Sequence, residues 1–207
     1  MNNFKMKVIK SSNKIKNCFL NTLFPPKCIG CKKEGSYICK DCEIFISEST
    51  LICPICGRES FKGETHKKCK NNSLDGLVTI WDYEGIIGKG LRLVKYKEIT
   101  DILNEFIKRA FKIIVRDKER FSSFLKLTNQ NTAIIPLTNK KMFNIIAKEV
   151  GSYTNSKVIK KEKVKNFENV IIVSDIFNKG EKIKKKAKRL KEKGFKKVWG
   201  FALTRTV

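Results

Sequence analysis

The feature that most constrains this chain is a run of paired metal-type ligands between residues 28 and 69. The pairs are Cys28-x2-Cys31, Cys39-x2-Cys42, Cys53-x2-Cys56 and His66-x2-Cys69. A C-x2-C turn presents two sulfurs to one metal, and a zinc ion takes four such ligands in a tetrahedron. Two zinc sites follow. His66 is the single histidine of the chain, and it stands where the fourth pair needs its first ligand. The simplest pairing is sequential, with one zinc on Cys28, Cys31, Cys39 and Cys42 and a second on Cys53, Cys56, His66 and Cys69. An interleaved pairing satisfies the same spacing. With every position filled by protein, neither zinc keeps a place for water, which makes both structural rather than catalytic. Gly30, Gly35 and Gly57 suit the tight turns of such knuckles. Cys18 belongs to no pair and reads as a small buried hydrophobe.

Around this array the 207 residues divide into a basic lead-in (1–27), a zinc module (28–70) and a region long enough for one α/β core (71–207). In the lead-in, Ile9, Ile15, Phe19 and Leu23 make one face of a short helix that stops at Pro25-Pro26. No stretch has the form of a signal peptide, and none has the length of apolar sequence a membrane span needs. The expectation is a soluble cytoplasmic protein, where many cysteines mean metal rather than disulfides. The formal charge is +25, from 45 Lys and Arg against 20 Asp and Glu. A Lys-, Asn- and Ile-rich compositional bias explains the preference for Lys over Arg. It does not explain the shortage of acids, which points to a polyanion such as DNA or RNA.

From residue 74 the pattern is that of strands and helices. Residues 74–83 form a strand, after which Gly85, Gly88 and Gly90 interrupt the pattern. Apolar steps of three and four from Ile102 to Val115 mark an amphipathic helix over 99–115. The polar stretch 116–131 reads as helix tail and loop. Strand–helix alternation then follows: strand 132–137, helix 139–153, short strand 157–160, a charged excursion 161–167, strand 170–173, helix 181–193 and strand 197–204. Val170 to Val173 is continuously apolar, as in a strand buried on both faces of a parallel sheet. Ser174 to Gly180 reads as the loop that follows. Ligands of such sheets bind at the carboxyl ends of the strands, and phosphates favour the N-terminus of the next helix.

Several parts occur together: proline before the cysteine array, four knuckles, Trp81-x-Tyr83, Lys95-Tyr96-Lys97, a strand ending in Pro136, and a buried strand feeding a loop and helix. This order resembles the ComF family, competence-associated bacterial proteins of the ComFC type, over about residues 23–205. The resemblance implies a double zinc ribbon followed by a type I phosphoribosyltransferase-like domain with a central, mainly parallel sheet flanked by helices. It also implies a role in handling single-stranded DNA during natural transformation, with a helicase and DNA-processing proteins as partners. Family members carry a V-D-D-V-x-T-T-G-x-T stretch whose acids face the ribose of phosphoribosyl pyrophosphate (PRPP) and whose threonines and glycine cradle its 5′-phosphate, with magnesium. Here the stretch runs Val173-Ser174-Asp175-Ile176-Phe177-Asn178-Lys179-Gly180-Glu181-Lys182. Ser174 replaces the first acid, Asn178 and Lys179 the threonine pair, and Lys182 the last threonine. The R-G-F-N-Q and P-V-P stretches become Lys141-Met142-Phe143-Asn144-Ile145 and Pro136-Leu137-Thr138.

These matches assign Asp175 as the one carry-over catalytic residue. Ser174, Asp175, Asn178, Lys179, Gly180 and Lys182 form the PRPP or phosphate loop. Lys95, Lys97, Lys184, Lys185, Lys188 and Lys191 are the candidate nucleic-acid contacts, with Trp81, Tyr83 and Tyr96 as stacking residues. Three functions remain open at this level: a DNA-binding ComF-like protein with a degenerate loop, an active phosphoribosyltransferase, and a zinc-dependent RNA- or DNA-binding factor outside competence. The degenerate loop favours the first.

Overall fold

The computed structural model describes residues 25–70, 73–128, 131–159 and 167–206. The expected N-terminal helix, Cys18 and nearly all of the charged excursion 161–167 lie outside them. Two compact units are present, Met1–Ile46 and Ser47–Val207. The division falls between the two ribbons, whereas the composition suggested a boundary near residue 70. The reason is hydrogen bonding between the second ribbon and the first strand. Ser49 N–H donates to the Ile80 carbonyl (2.9 Å), Thr65 N–H to Asp75 (2.8 Å) and Leu77 N–H to Gly63 (2.8 Å). Bridges join Glu48 to Trp81 and Glu64 to Gly76. The ribbon thereby covers backbone groups that an edge strand would leave open.

Within the first unit, an antiparallel bridge between Lys27 and Glu34 closes the first knuckle. Helix α1 (Lys40–Glu43) has Cys39 as its N-cap and carries Cys42. Ile29 and Ile38 are its buried aliphatic residues, beside Cys28.

The second unit is built on five strands: β1 (Gly76–Asp82), β2 (Thr132–Pro136), β3 (Lys157–Val158), β4 (Asn169–Phe177) and β5 (Lys197–Arg205). They lie in the order β1-β5-β4-β2-β3, and every neighbouring pair is parallel. The helices are α2 (Gly85–Lys97), α3 (Thr100–Arg116), α4 (Ser122–Leu127), α5 (Lys141–Thr154) and α6 (Glu181–Glu192). Strand side chains alternate between two apolar faces. Leu77, Ala133, Ile135, Val170, Ile172, Val198 and Ala202 pack with Ile183, Ala187 and Leu190 of α6. On the alternate positions Phe201 stacks with Phe111 of α3 and Phe124 of α4 at 6.0 and 5.9 Å. Both faces are covered, which is why the four longer strands are largely apolar. At Gly200 the space is taken: a Cβ would lie 2.8 Å from Leu77 and 3.0 Å from Ile183.

Three elements differ from the sequence expectation. Gly85, Gly88 and Gly90 lie inside α2 rather than breaking a pattern. Ile87, Leu91 and Val94 form its buried stripe, and burial of that stripe outweighs the helix cost of glycine, about 1 kcal/mol per residue. The stretch 116–131 contains α4, because Phe121 and Phe124 are fully buried. Strand β4 runs on through Phe177, so Ser174 to Phe177 is strand, not loop. Pairs Ser174–Ala202, Ile176–Thr204 and Phe177–Arg205 continue the ladder to β5.

The strand order locates the site. From β2 the chain crosses to β3 on one side, and from β4 it crosses to β5 on the other. The crevice between the carboxyl ends of β2 and β4 is therefore the topological switch point of the sheet. Leu137 N–H donates to the Val173 carbonyl there, at 2.9 Å.

Candidate functional site: two metal centres and a switch-point cleft

The two knuckles repeat one backbone design. Cys28 N–H donates to Lys33 and Cys53 N–H to Arg58, both at 2.8 Å. Lys32 N–H returns to Cys28 and Gly57 N–H to Cys53, both at 2.9 Å. The residue four after the first cysteine is left-handed in each, with φ 69° at Lys32 and 74° at Gly57. Gly57 suits that place; Lys32 occupies it in the first knuckle, while Gly30 lies in the same turn without a left-handed φ.

The ligands gather as Cys28, Cys31, Cys39 and Cys42, and as Cys53, Cys56, His66 and Cys69. Within each group the ligand atoms all lie within 4.8 Å of one another. This is the sequential pairing. All seven described cysteines are free thiols. His66 Nε2 faces the Glu59 carbonyl at 3.1 Å, while Nδ1 lies 3.4 Å from Cys56 Sγ. Donation from Nε2–H to that carbonyl fixes the tautomer and turns the Nδ1 lone pair toward the sulfurs, the outer-shell arrangement of a metal-binding histidine. Burial and the neighbouring sulfurs push the Cys42 thiol up to about 12 and Cys69 up to about 11. A divalent cation reverses that preference by binding thiolate. The residues fit two zinc ions, which would tie each knuckle pair together and leave no catalytic position.

The second site is the switch-point cleft. It is open, about 780 Å³, and its wall includes Tyr83, Lys95, Tyr96, Lys141, Asp175 and Lys182. A smaller recess of about 350 Å³ adjoins it over Asn178, Lys179 and Gly180. The turn from β4 to α6 is only these three residues. Asn178 Oδ1 accepts Lys179 N–H at 2.8 Å and faces the Thr206 hydroxyl at 3.1 Å. Gly180 has φ 76°, and a Cβ there would lie 2.5 Å from the Phe177 ring. No side chain caps the N-terminus of α6, so its first amides are available to an anion. Glu181 in the same first turn opposes one.

Two carboxylates line the cleft: Glu98, paired with Lys141 at 2.8 Å, and Asp175. Burial raises the pKa of Asp175, against the opposing effects of the Ile176 N–H, the Ser174 hydroxyl and the Lys95 charge. Its Oδ1 accepts Ile176 N–H at 2.8 Å. Ser174 is 2% exposed, and its hydroxyl donates to the Ile176 carbonyl at 3.0 Å. Ser174 thus stabilises the strand end while lining both the cleft and the recess.

Around the cleft, Lys95 and Lys97 end α2 and are exposed. Tyr96 between them is 73% exposed, with Lys95 Nζ 5.4 Å from its ring centre. Tyr83 lines the cleft, but Trp81 does not reach it: it is 2% exposed and packs edge-on against Phe106. Lys185 and Lys188 are exposed on α6. Lys184 folds back to the Lys179 carbonyl at 2.9 Å. Lys191, also expected as a nucleic-acid contact, has its Nζ 2.6 Å from Asp75 and a side chain only 13% exposed. Thr138, of the Pro136-Leu137-Thr138 stretch, lines the cleft; sequence reasoning missed Lys140, which lines it too, and Lys186, whose Nζ donates to the Pro136 carbonyl at 2.9 Å. Only the fold brings the end of β2 beside α6. Among the described residues no helix is long and apolar enough to cross a membrane.

Set beside known proteins, the chain matches none of the curated ones. Residues 19–71 match the family of double zinc ribbon domains. The protein thus joins a zinc-binding double ribbon to an α/β region with an all-parallel, five-stranded sheet.

Proposed function

We propose that this is a ComF-like protein that binds single-stranded DNA and partner proteins during DNA uptake, on a phosphoribosyltransferase-like domain whose PRPP loop no longer supports transfer. The carrying observation is the mouth of the switch-point cleft. Lys95 and Tyr96 line it and are exposed, with the Lys95 ammonium 5.4 Å from the Tyr96 ring centre, and Lys97 is exposed at the same end of α2. A ring with a cation beside it suits a stacked base and its neighbouring phosphate. The resemblance set out from the sequence and the double zinc ribbon at residues 19–71 support the same reading.

The chemistry needed for transfer is reduced. Asp175 is held back by burial and by the Ile176 amide, and Ser174 is turned into the strand. Lys179 and Lys182 add charge where hydroxyls would shape a phosphate cradle. Phosphoribosyl transfer is the second reading, favoured by one observation: a cleft of about 780 Å³ at the switch point lined by two acids, Glu98 and Asp175, and several lysines. Calorimetry with magnesium and PRPP, together with an assay for pyrophosphate release, separates the two. A DNA-binding role without transfer entails no pyrophosphate release and no binding that depends on Asp175. Turnover that disappears in Asp175→Ala would overturn it.

A further inference from the structure

A second basic cleft lies at the opposite end of the sheet, outside the site described above. It measures about 600 Å³ and opens where the second ribbon meets the amino ends of β4 and β5. Its cations come from three separate stretches of chain. Lys62 and Lys70 belong to the ribbon, Lys126 to α4, and Lys197 is the first residue of β5. The acids in its wall are already engaged. Glu64 accepts the Ser123 hydroxyl at 2.6 Å, and Glu168 pairs with Lys196 at 2.7 Å. Asp75 pairs with Lys191 at 2.6 Å and accepts Val198 N–H at 2.7 Å. Lys70, Lys126 and Lys197 are exposed and have no carboxylate partner among the described residues. Lys62 Nζ lies 5.8 Å from the ring centre of Phe61, which is 72% exposed.

Like charges gathered in one concavity repel, and their field concentrates anions there. Thr65 and Asn169 add hydrogen-bonding groups to the wall. An exposed phenylalanine beside the rim lysine supplies a face for a base. We infer that this cleft is a second docking site for the sugar-phosphate backbone of a nucleic acid, with Phe61 as a stacking residue. The inference rests on the nucleic-acid reading of the proposed function and extends it to the far end of the sheet. β4 alone spans nine residues, roughly 30 Å of strand. A strand engaged at both ends must therefore run along the side of the α/β unit.

The test is fluorescence anisotropy of a labelled oligothymidylate on the zinc-loaded full chain across a salt series. The variants are Lys62→Ala/Lys70→Ala/Lys126→Ala/Lys197→Ala, Lys126→Glu alone, and Phe61→Ala, each checked for zinc content and circular dichroism. The quadruple variant should bind at least about tenfold more weakly at low salt, with a salt slope smaller by about 2 to 3, since each lost phosphate contact removes about 0.7 on single strands. Lys126→Glu should weaken binding in the same direction, and Phe61→Ala should weaken it without changing the slope. Wild-type binding with unchanged affinity and slope in the quadruple variant and in Lys126→Glu overturns this inference alone. No oligonucleotide binding by the wild type overturns the nucleic-acid reading as well. A free mononucleotide that binds more tightly than the oligonucleotide, and loses affinity in the quadruple variant, would make the cleft a nucleotide pocket and overturn the backbone assignment.

Discussion

At the scale of the residue, Asp175 and Gly180 carry the sharpest consequences. Burial raises the pKa of Asp175 above its ordinary value. The sign follows from linkage. The unfolded carboxyl gives up its proton first, so this group contributes a loss of stability as pH rises from the unfolded to the folded pKa. Asp175→Asn is therefore expected to raise the melting temperature at pH 7, by about 1–3 °C, and to flatten the acid limb of the stability profile. Thermal denaturation from pH 4 to 8 checks this; a lower melting temperature at pH 7 would show that the charge is compensated in the folded state. At Gly180 the backbone is left-handed, and a Cβ would come within 2.5 Å of the Phe177 ring, so there is no room for one. Gly180→Ala should cost about 1–3 kcal/mol, read by urea denaturation, whereas Gly57→Ala, which meets nothing within 4 Å, costs the left-handed penalty alone. These differences were not legible in the sequence. It singles out Asp175 and Gly180 by type and place, but the strand ladder that turns Ser174 inward depends on Ala202 and Thr204, some 30 residues away.

At the scale of the element, the two ribbons have unequal roles. The second is hydrogen-bonded to β1 through Ser49 and Gly63 and to Asp75 just before it through Thr65, while the first lies in the other compact unit. Cys53→Ser or His66→Ala is expected to lower the melting temperature of the α/β unit by several degrees. Cys28→Ser should release one zinc and leave that transition in place. Elemental analysis and scanning calorimetry on the same samples decide it; equal shifts from both changes would contradict the division. Acid should release both metals, because protons compete with zinc for thiolate as the pH falls. The ribbon ligands were fully legible, since spacing alone encodes a knuckle. So were α3, α5, α6 and the apolar stretches of the buried strands, whose pattern is strong, but not the end of β4 from Ser174 to Phe177. Helix α2 was not, because the local cost of its glycines says nothing of the stripe Ile87, Leu91 and Val94 that packs against the rest of the unit. Helix α4 was hidden similarly, its two buried phenylalanines set in a polar stretch.

At the scale of the whole molecule, the chain carries +25 and displays basic groups at both ends of its parallel sheet. Lys95 and Lys97 stand at the carboxyl ends, and Lys70, Lys126 and Lys197 at the amino ends. Charge was legible from composition, but its distribution was not. Lys184, Lys186 and Lys191, alike in sequence to Lys185 and Lys188, are tied to Lys179, Pro136 and Asp75. Replacing Lys95 and Lys97 by alanine should weaken oligonucleotide binding several-fold with a smaller salt slope, while Lys191→Ala should lower stability and leave the slope unchanged. Above all, the proposed function requires that this zinc-ribbon α/β protein hold single-stranded nucleic acid through backbone phosphates. The deciding measurement is the affinity of the zinc-loaded chain for a labelled single strand from about 50 to 200 mM salt. Log affinity should fall linearly with log salt, with a slope of about 3 or more in magnitude. An affinity that is absent, or flat across that range, would contradict phosphate-directed binding.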